Sequence, residues 1–105
     1  MTDQTAKADA GKLRLSLVPP EVIKAVGIIR RYGNAKYPDG GEDNWKRVEP
    51  QRYWDAVIRH TVAAWSDYKA VDAESGYPHL YHIATNIAFI LALEGMAQED
   101  DHDTH

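Results

Sequence analysis

The sequence contains no cysteine among its 105 residues, one phenylalanine and two methionines. The lack of cysteine excludes disulfide bonds, thiolate catalysis and sulfur-ligated zinc or iron sites. A bound metal would therefore be held by histidine, aspartate, glutamate or asparagine side chains. The sequence is rich in such groups, with 5 histidines and 16 acidic residues.

Long apolar runs are also missing. No stretch approaches the roughly 18 apolar residues that a membrane span requires, and the N-terminal region lacks the basic, apolar and cleavage-site pattern of a secretory signal. We therefore predict a cytoplasmic protein with no membrane partner. The formal net charge is −4 and no basic stripe is present, so we also expect no nucleic-acid partner.

The length fits a single domain with one hydrophobic core. Residues 1–11 are small, polar and aperiodic, which predicts a disordered leader, and the acidic residues 98–105 predict a disordered tail. Between them we predict one helical domain over residues 12–97. Its first segment, 12–18, alternates polar and apolar residues, which predicts an extended arm that two prolines end.

Three segments of the domain have helical periodicity, with predicted bounds at 20–32, 51–69 and 79–95. We therefore predict an all-α fold, a small bundle of three main helices with an N-terminal extended arm. No Lys, Arg, Asp or Glu lies between His79 and Leu93, so the third helix needs cover on nearly every side. In so short a chain this favours completion of the bundle by oligomerisation, as a homodimer or tetramer.

The connection over residues 33–50 is long and irregular, which is typical of a functional loop or of disorder. It carries Lys36, Asn44 and Trp45. A tryptophan at this place can stack on a nucleotide base or cover the core as a lid, and both interpretations stay open. The lysine is a candidate contact for a phosphate.

The polar residues of segment 53–86 lie at helical spacings on both sides of a short acidic turn. His60 and Asp67 fall two turns apart on the second predicted helix, and the third begins with His79 and His82, three residues apart. Two helices joined by a short loop pack antiparallel, which brings these faces into register. The candidate metal ligands are His60, Asp67, Asp72, Glu74, His79, His82 and Asn86.

This cluster has two interpretations. Neutral imidazoles with carboxylates suit a divalent metal, and a metal site beside a lysine and aromatic residues fits phosphoanhydride hydrolysis. Alternatively, the same groups form a buried hydrogen-bond network in a non-catalytic oligomeric binding module.

Several motifs resemble those of one known family. The most specific is the run Asp72-Ala73-Glu74-Ser75-Gly76-Tyr77-Pro78-His79-Leu80-Tyr81-His82, with Asn86 after it. Further motifs are Arg14-Leu15-Ser16-Leu17-Val18-Pro19, Tyr32-Gly33-Asn34-Ala35-Lys36-Tyr37, Asn44-Trp45 and Arg59-His60. Over about residues 12–94 they resemble the phage-associated dATP/dGTP diphosphohydrolase family, which is related to the MazG-like all-α nucleotide pyrophosphohydrolases.

The resemblance implies an oligomeric helical hydrolase that converts a purine deoxynucleoside triphosphate to the monophosphate and pyrophosphate. It also implies a divalent metal, Mg²⁺ or Mn²⁺, and the histidines admit another transition metal. On this basis the predicted catalytic carboxylates are Asp67, Asp72 and Glu74. The predicted metal ligands are His60, Asp67, His79 and His82. The predicted substrate contacts are Lys36, Asn44, Trp45 and Asn86.

One difference from the MazG-like pattern concerns the metal site. That pattern places Glu-Glu-x-x-Glu on one helix and Glu-x-x-Asp on the next, and neither occurs in this sequence. Arg59-His60 with Asp67, and then His79 with His82, occupy the comparable helices. Either histidines have replaced the carboxylates of the metal site, or the shared fold serves binding without this catalysis.

Overall fold

The computed structural model describes residues 11–37 and 41–96. In these residues the chain forms three α-helices: α1, Pro20–Lys36; α2, Pro50–Ala64; and α3, His79–Leu93. The predicted all-α fold is therefore confirmed. The predicted bounds of the third helix agree with the structure to within two residues.

Short irregular elements connect the helices. A 3₁₀ turn, Leu15–Leu17, precedes α1, and a second one, Asn44–Arg47, precedes α2. In the described part of the chain, extended pairing is limited to one bridge between Val71 and Pro78. The predicted arm 12–18 is thus interrupted by a helical turn, and its leucines are exposed rather than packed over the helices.

The predicted leader and tail fall almost entirely outside the described residues. Only Gly11 of the leader 1–11 is described, and none of the tail 98–105. Both therefore stay predictions. No helix in the described ranges combines the length and apolar character needed to span a bilayer.

Helix α1 is longer than predicted. The sequence places its end at residue 32, because Gly33-Asn34 is typical of a helix C-terminus and the basic Arg30 and Arg31 suit a last turn. The structure continues the helix through Gly33 to Lys36, and the Gly33 carbonyl accepts a hydrogen bond from the backbone N–H of Tyr37. Lys36, in the last turn, pairs with Glu74 across the fold, so a tertiary contact accompanies the added turn.

Helix α2 is shorter than predicted. It ends at Ala64, and Asp67 then makes local hydrogen bonds that compete with a helix. The Asp67 Oδ1 accepts a hydrogen bond from the backbone N–H of Lys69 at 3.0 Å, and its carbonyl accepts one from Ala70 at 2.9 Å. Asp67 consequently lies in the connection, away from the helical face that carries His60.

Helix α3 forms the centre of the fold and packs on both α1 and α2. The buried apolar residues come from all three helices: Ala25, Ile29, Val57, Ala64 and Ile90. These side chains are small or medium in size, which lets the helices approach closely. The position of α3 therefore determines where side chains of α1 and α2 can meet.

Ile90 and its neighbour Leu91 are a matched pair for testing this core, because Ile90 is 4% exposed and Leu91 is 39% exposed. Ile90→Ala should lower the free energy of unfolding by about 2–4 kcal/mol, since it leaves a cavity in packed surroundings. Leu91→Ala should lower it by less than about 1 kcal/mol. Urea unfolding followed by circular dichroism measures both changes, and equal losses would contradict this core.

Candidate functional site

A cleft of about 600 Å³ opens between the three helices. Its histidine end is lined by His60, Asp72, Glu74 and His82. Its aromatic end is lined by Trp45, Tyr53 and Phe89. His82 and Phe89 lie two turns apart on α3, so the two ends of the cleft are separated by roughly 10 Å.

The histidine end depends on contacts between α2 and α3. His60 Nδ1 and His79 Nδ1 lie 2.8 Å apart, so that one nitrogen donates a hydrogen bond to the other. The His60 and His82 rings are stacked, with centroids 4.6 Å apart and an angle of 10° between planes. The structure thus brings together the three histidines that the sequence placed on facing helices.

The acidic turn between α2 and α3 places Asp72 beside these rings. The backbone N–H of Gly76 donates to the Asp72 carbonyl at 2.8 Å, and Gly76 has φ of 78°, a left-handed conformation that favours glycine. The Asp72 Oδ2 accepts a hydrogen bond from the Ser75 backbone N–H at 2.9 Å. The same oxygen lies 3.8 Å from His82 Nε2.

Ser75 is a site residue that the sequence interpretation did not single out. Its Oγ accepts a hydrogen bond from the Tyr77 backbone N–H at 3.2 Å and lies 2.7 Å from His82 Nε2. The hydroxyl hydrogen can therefore be donated to the neutral imidazole. The position of Ser75 in the acidic turn, three residues after Asp72, is the feature of the sequence that could have indicated this role. From this position Ser75 contacts both Asp72 and His82.

Three of these residues have the chemistry and spacing of a metal site. His60, Asp72 and His79 each offer one ligand atom, and the three atoms lie within 4.8 Å of one another. Two imidazole nitrogens and one carboxylate oxygen fit a divalent transition metal. The predicted ligand Asp67 does not join them, because it is exposed and does not line the cleft.

Protonation at this end favours metal binding. Burial lowers the pKa of His60, and the adjacent His82 ring lowers it further. Burial also lowers the pKa of His82, although Asp72 opposes this effect. Burial would raise the pKa of Asp72, but hydrogen bonds from Ser75 and the two nearby imidazoles outweigh it, so the pKa is lowered. At neutral pH His60 and His82 are therefore uncharged and Asp72 is ionised, the states in which imidazole and carboxylate groups bind a metal.

Two predicted substrate contacts, Lys36 and Asn86, already have partners in the structure. Lys36 Nζ forms an ion pair and hydrogen bond with Glu74 Oε1, which raises the pKa of Lys36. Asn86 is buried and donates its Nδ2 hydrogen to the His82 carbonyl at 2.7 Å. Lys36, Glu74 and Asn86 all line the cleft, as does Asn44.

Trp45 contributes to the aromatic end. Its ring is stacked on Phe89 with centroids 4.8 Å apart and an angle of 15° between planes. The Tyr53 hydroxyl donates a hydrogen bond to the Trp45 carbonyl at 2.8 Å. One face of Trp45 therefore covers Phe89, which agrees with the lid interpretation for that face.

Three arginines that were not predicted as site residues line the cleft: Arg30, Arg52 and Arg59. The Arg30 guanidinium lies 5.9 Å from the Trp45 ring centroid and 5.4 Å from that of Phe89, and its Nη2 donates to the Glu42 carbonyl at 2.7 Å. Together with Lys36 they make the cleft locally basic in an acidic chain.

The fold and site define an all-α domain with a cleft lined by histidine, carboxylate and arginine side chains. Residues 2–103 match the family model described as dATP/dGTP diphosphohydrolase, N-terminal. The chain belongs to this family, as its motifs predicted. A protein of Salmonella phage PMBT28 named dATP/dGTP diphosphohydrolase is 36% identical over 87 residues, which are 83% of this chain and 29% of that protein. The chain thus spans less than a third of this relative's length. No solved structure matches the chain significantly.

The lowered histidine pKa values predict that the stability of the metal-free protein depends on pH. An unfolded histidine titrates near pH 6.5. Because His60 and His82 titrate at lower pH in the folded chain, the unfolded state binds more protons as pH falls below about 6.5, and stability is lost there. The contribution of Asp72 is lost only further down, below about pH 4.

Thermal unfolding in EDTA measures this dependence. The Tm should fall as the pH is lowered from about 7 to about 5, and His60→Gln should make that fall shallower. A Tm that is constant or rises over this range in the unsubstituted protein would contradict the pKa directions.

Proposed function

We propose that this chain acts as a metal-dependent nucleotide pyrophosphohydrolase of MazG-like character, which cleaves a purine deoxynucleoside triphosphate to the monophosphate and pyrophosphate. The proposal rests on the cluster of His60, Asp72 and His79, of which His60 and Asp72 line a cleft with basic and aromatic walls. The family description and the name of the phage relative support the same reaction class.

His60, Asp72 and His79 would hold the metal. When bound, a divalent ion would polarise phosphate oxygens and lower the pKa of a water molecule. Two nitrogen donors favour Mn²⁺ or another transition ion over Mg²⁺, which prefers oxygen ligands. To bind the metal through Nε2, His82 would have to lose its hydrogen bond with the Ser75 hydroxyl. We therefore assign His82 to positioning the His60 ring, on which it is stacked.

The cationic side chains of the cleft would receive the phosphates. Arg30, Arg52 and Arg59 lie along its walls together with Lys36, and a basic cleft concentrates an anionic substrate even when the chain as a whole is acidic. Lys36 is paired with Glu74 in the free protein. A phosphate that draws Lys36 away would leave the Glu74 carboxylate free to accept a proton.

The chemical step would be hydrolysis at the α-phosphorus. A water oxygen bonds to phosphorus, the bond to the bridging oxygen breaks, and pyrophosphate leaves. Glu74 would accept the proton of the attacking water. The positive charges of Lys36 and the arginines would offset the charge that develops on the departing pyrophosphate.

The aromatic end would receive the base. Trp45 covers Phe89 with one face of its ring, so a purine would lie against the other face. The same side chain would then act as a lid on the core and as a stacking surface for the base. Asn44 and Asn86 line the same cleft. The Nδ2 of Asn86 donates one hydrogen bond to the His82 carbonyl, so a purine could meet its second Nδ2 hydrogen or its Oδ1.

Release of pyrophosphate from dATP, dGTP and other nucleoside triphosphates tests the proposal. Turnover should require Mn²⁺, Co²⁺ or Mg²⁺ and stop in EDTA. Asp72→Asn and His79→Ala should each lower kcat/KM by about 100-fold or more, because each removes a proposed ligand. Turnover that is absent with every metal and substrate would contradict the proposal.

Asp67→Asn is the matched comparison in the same assay. Asp67 and Asp72 were both predicted as catalytic carboxylates, but only Asp72 lines the cleft. Asp67→Asn should therefore keep kcat/KM within about 2-fold of the unsubstituted protein. Equal losses at the two positions would contradict the assignment to Asp72.

A second candidate function, a non-catalytic oligomeric binding module, is favoured by one observation. The polar groups of the cluster already satisfy one another, and over the described ranges no buried side-chain nitrogen or oxygen lacks a hydrogen-bond partner. Thermal-shift measurements separate the two functions. The hydrolase predicts that Mn²⁺ raises the Tm and that His79→Ala abolishes this rise, whereas the binding module predicts no rise with metal or nucleotide.

We also propose that the protein is a homo-oligomer. The three helices bury few large apolar side chains, and tryptophan, isoleucine and valine side chains stay exposed on α2. A second copy would cover apolar surface that this small domain leaves in water.

A further inference from the structure

Helix α2 has two faces of different character. One carries His60 and Tyr53 and lines the cleft. The other carries four exposed large apolar side chains: Trp54 at 45%, Ile58 at 56%, Val62 at 70% and Trp65 at 84%. At about 100° per residue they fall within an arc of about 80°, and Trp65 continues the helical path with φ of −57° and ψ of −44°. These four residues are called the α2 apolar face.

We propose that the α2 apolar face binds the same face of a second copy, with the two α2 helices antiparallel about a two-fold axis near residue 60. This proposal rests on the homo-oligomer of the proposed function and names the surface through which two copies bind. A homodimer of this kind is isologous, so the face must be complementary to itself.

The spacing of the face supports self-pairing. Position 60 is the midpoint between Ile58 and Val62, and it lies within half a residue of the midpoint between Trp54 and Trp65. Antiparallel pairing about that position therefore places Trp54 against Trp65 of the second copy, and Ile58 against Val62. Each large indole meets an indole, and each aliphatic side chain meets an aliphatic one.

The charges beside the face favour the antiparallel arrangement over a parallel one. Asp55 flanks the face and accepts a hydrogen bond from Gln51 Nε2 at 3.0 Å. Parallel pairing would set the two Asp55 carboxylates side by side. Antiparallel pairing separates them by roughly 15 Å along the helices, beyond the Debye length of about 8 Å at physiological salt.

The exposed apolar area is large enough to form the centre of an interface with a second copy. From their exposures, the two indoles offer roughly 300 Å² of surface, and the two aliphatic side chains raise this to roughly 500 Å². A standard interface buries about 800 Å² per partner, of which the centre is apolar and the rim polar. Gln51 and Asp55 supply such a rim. His60 lies on the opposite side of α2, so the cleft stays open in the dimer.

Sedimentation velocity at micromolar concentration tests the proposal with two matched substitutions. Ile58→Lys, at the centre of the face, should raise the dissociation constant of the dimer by about 100-fold. Ile23→Lys is the control, because Ile23 is 65% exposed on α1, outside the face. It should leave the dimer intact, and circular dichroism verifies that both variants are folded. A monomeric unsubstituted protein, or dissociation by Ile23→Lys alone, would overturn the proposal.

Cross-linking tests the direction of pairing, and the absence of cysteine from the chain makes single-cysteine variants unambiguous. Ile58→Cys lies near the axis and should link to its own copy with a short bismaleimide. Gln51→Cys should not, because antiparallel pairing places the two positions roughly 25 Å apart. Linking at Gln51→Cys without linking at Ile58→Cys would overturn the antiparallel arrangement.

Discussion

The contact of α2 with α3 is the interaction on which the site depends. His60 of α2 stacks on His82 and meets His79 of α3, so these imidazoles come together only when the two helices are docked. Burial in this contact keeps the pKa of both His60 and His82 below the usual value. The packing that forms the core thus also sets the protonation state that a metal needs.

The acidic turn adds the carboxylate to this arrangement. Ser75 holds Asp72 through its backbone N–H and holds His82 through its hydroxyl, so one small residue orients two site groups. On the other wall, Lys36 reaches Glu74 from the end of α1. All three helices and the turn therefore contribute to one cleft, whose walls are basic although the chain carries a formal net charge of −4.

Periodicity and spacing predicted much of this arrangement, namely three helices and the facing positions of His60, His79 and His82. They were wrong about the place of Asp67, which fits the helical spacing but follows the end of α2 at Ala64 and accepts a hydrogen bond from the backbone N–H of Lys69. Asp72, which was predicted as a site residue together with Asp67, lies near His60 and His79. Arg30, Arg52 and Arg59 were not predicted as site residues, because helical periodicity gives the direction of a side chain from its own helix and not the position of a cleft between helices.

We propose that His60, Asp72 and His79 would hold a divalent metal ion at the place where the nucleotide phosphates bind. Pulsed electron paramagnetic resonance of the protein with Mn²⁺ and an α,β-imido analogue of dATP tests it most directly. We expect ¹⁴N couplings from imidazole ligands and ³¹P couplings from the nucleotide on the same ion, with the nitrogen couplings reduced in His79→Ala. A bound Mn²⁺ that has phosphorus couplings and no nitrogen couplings would contradict it.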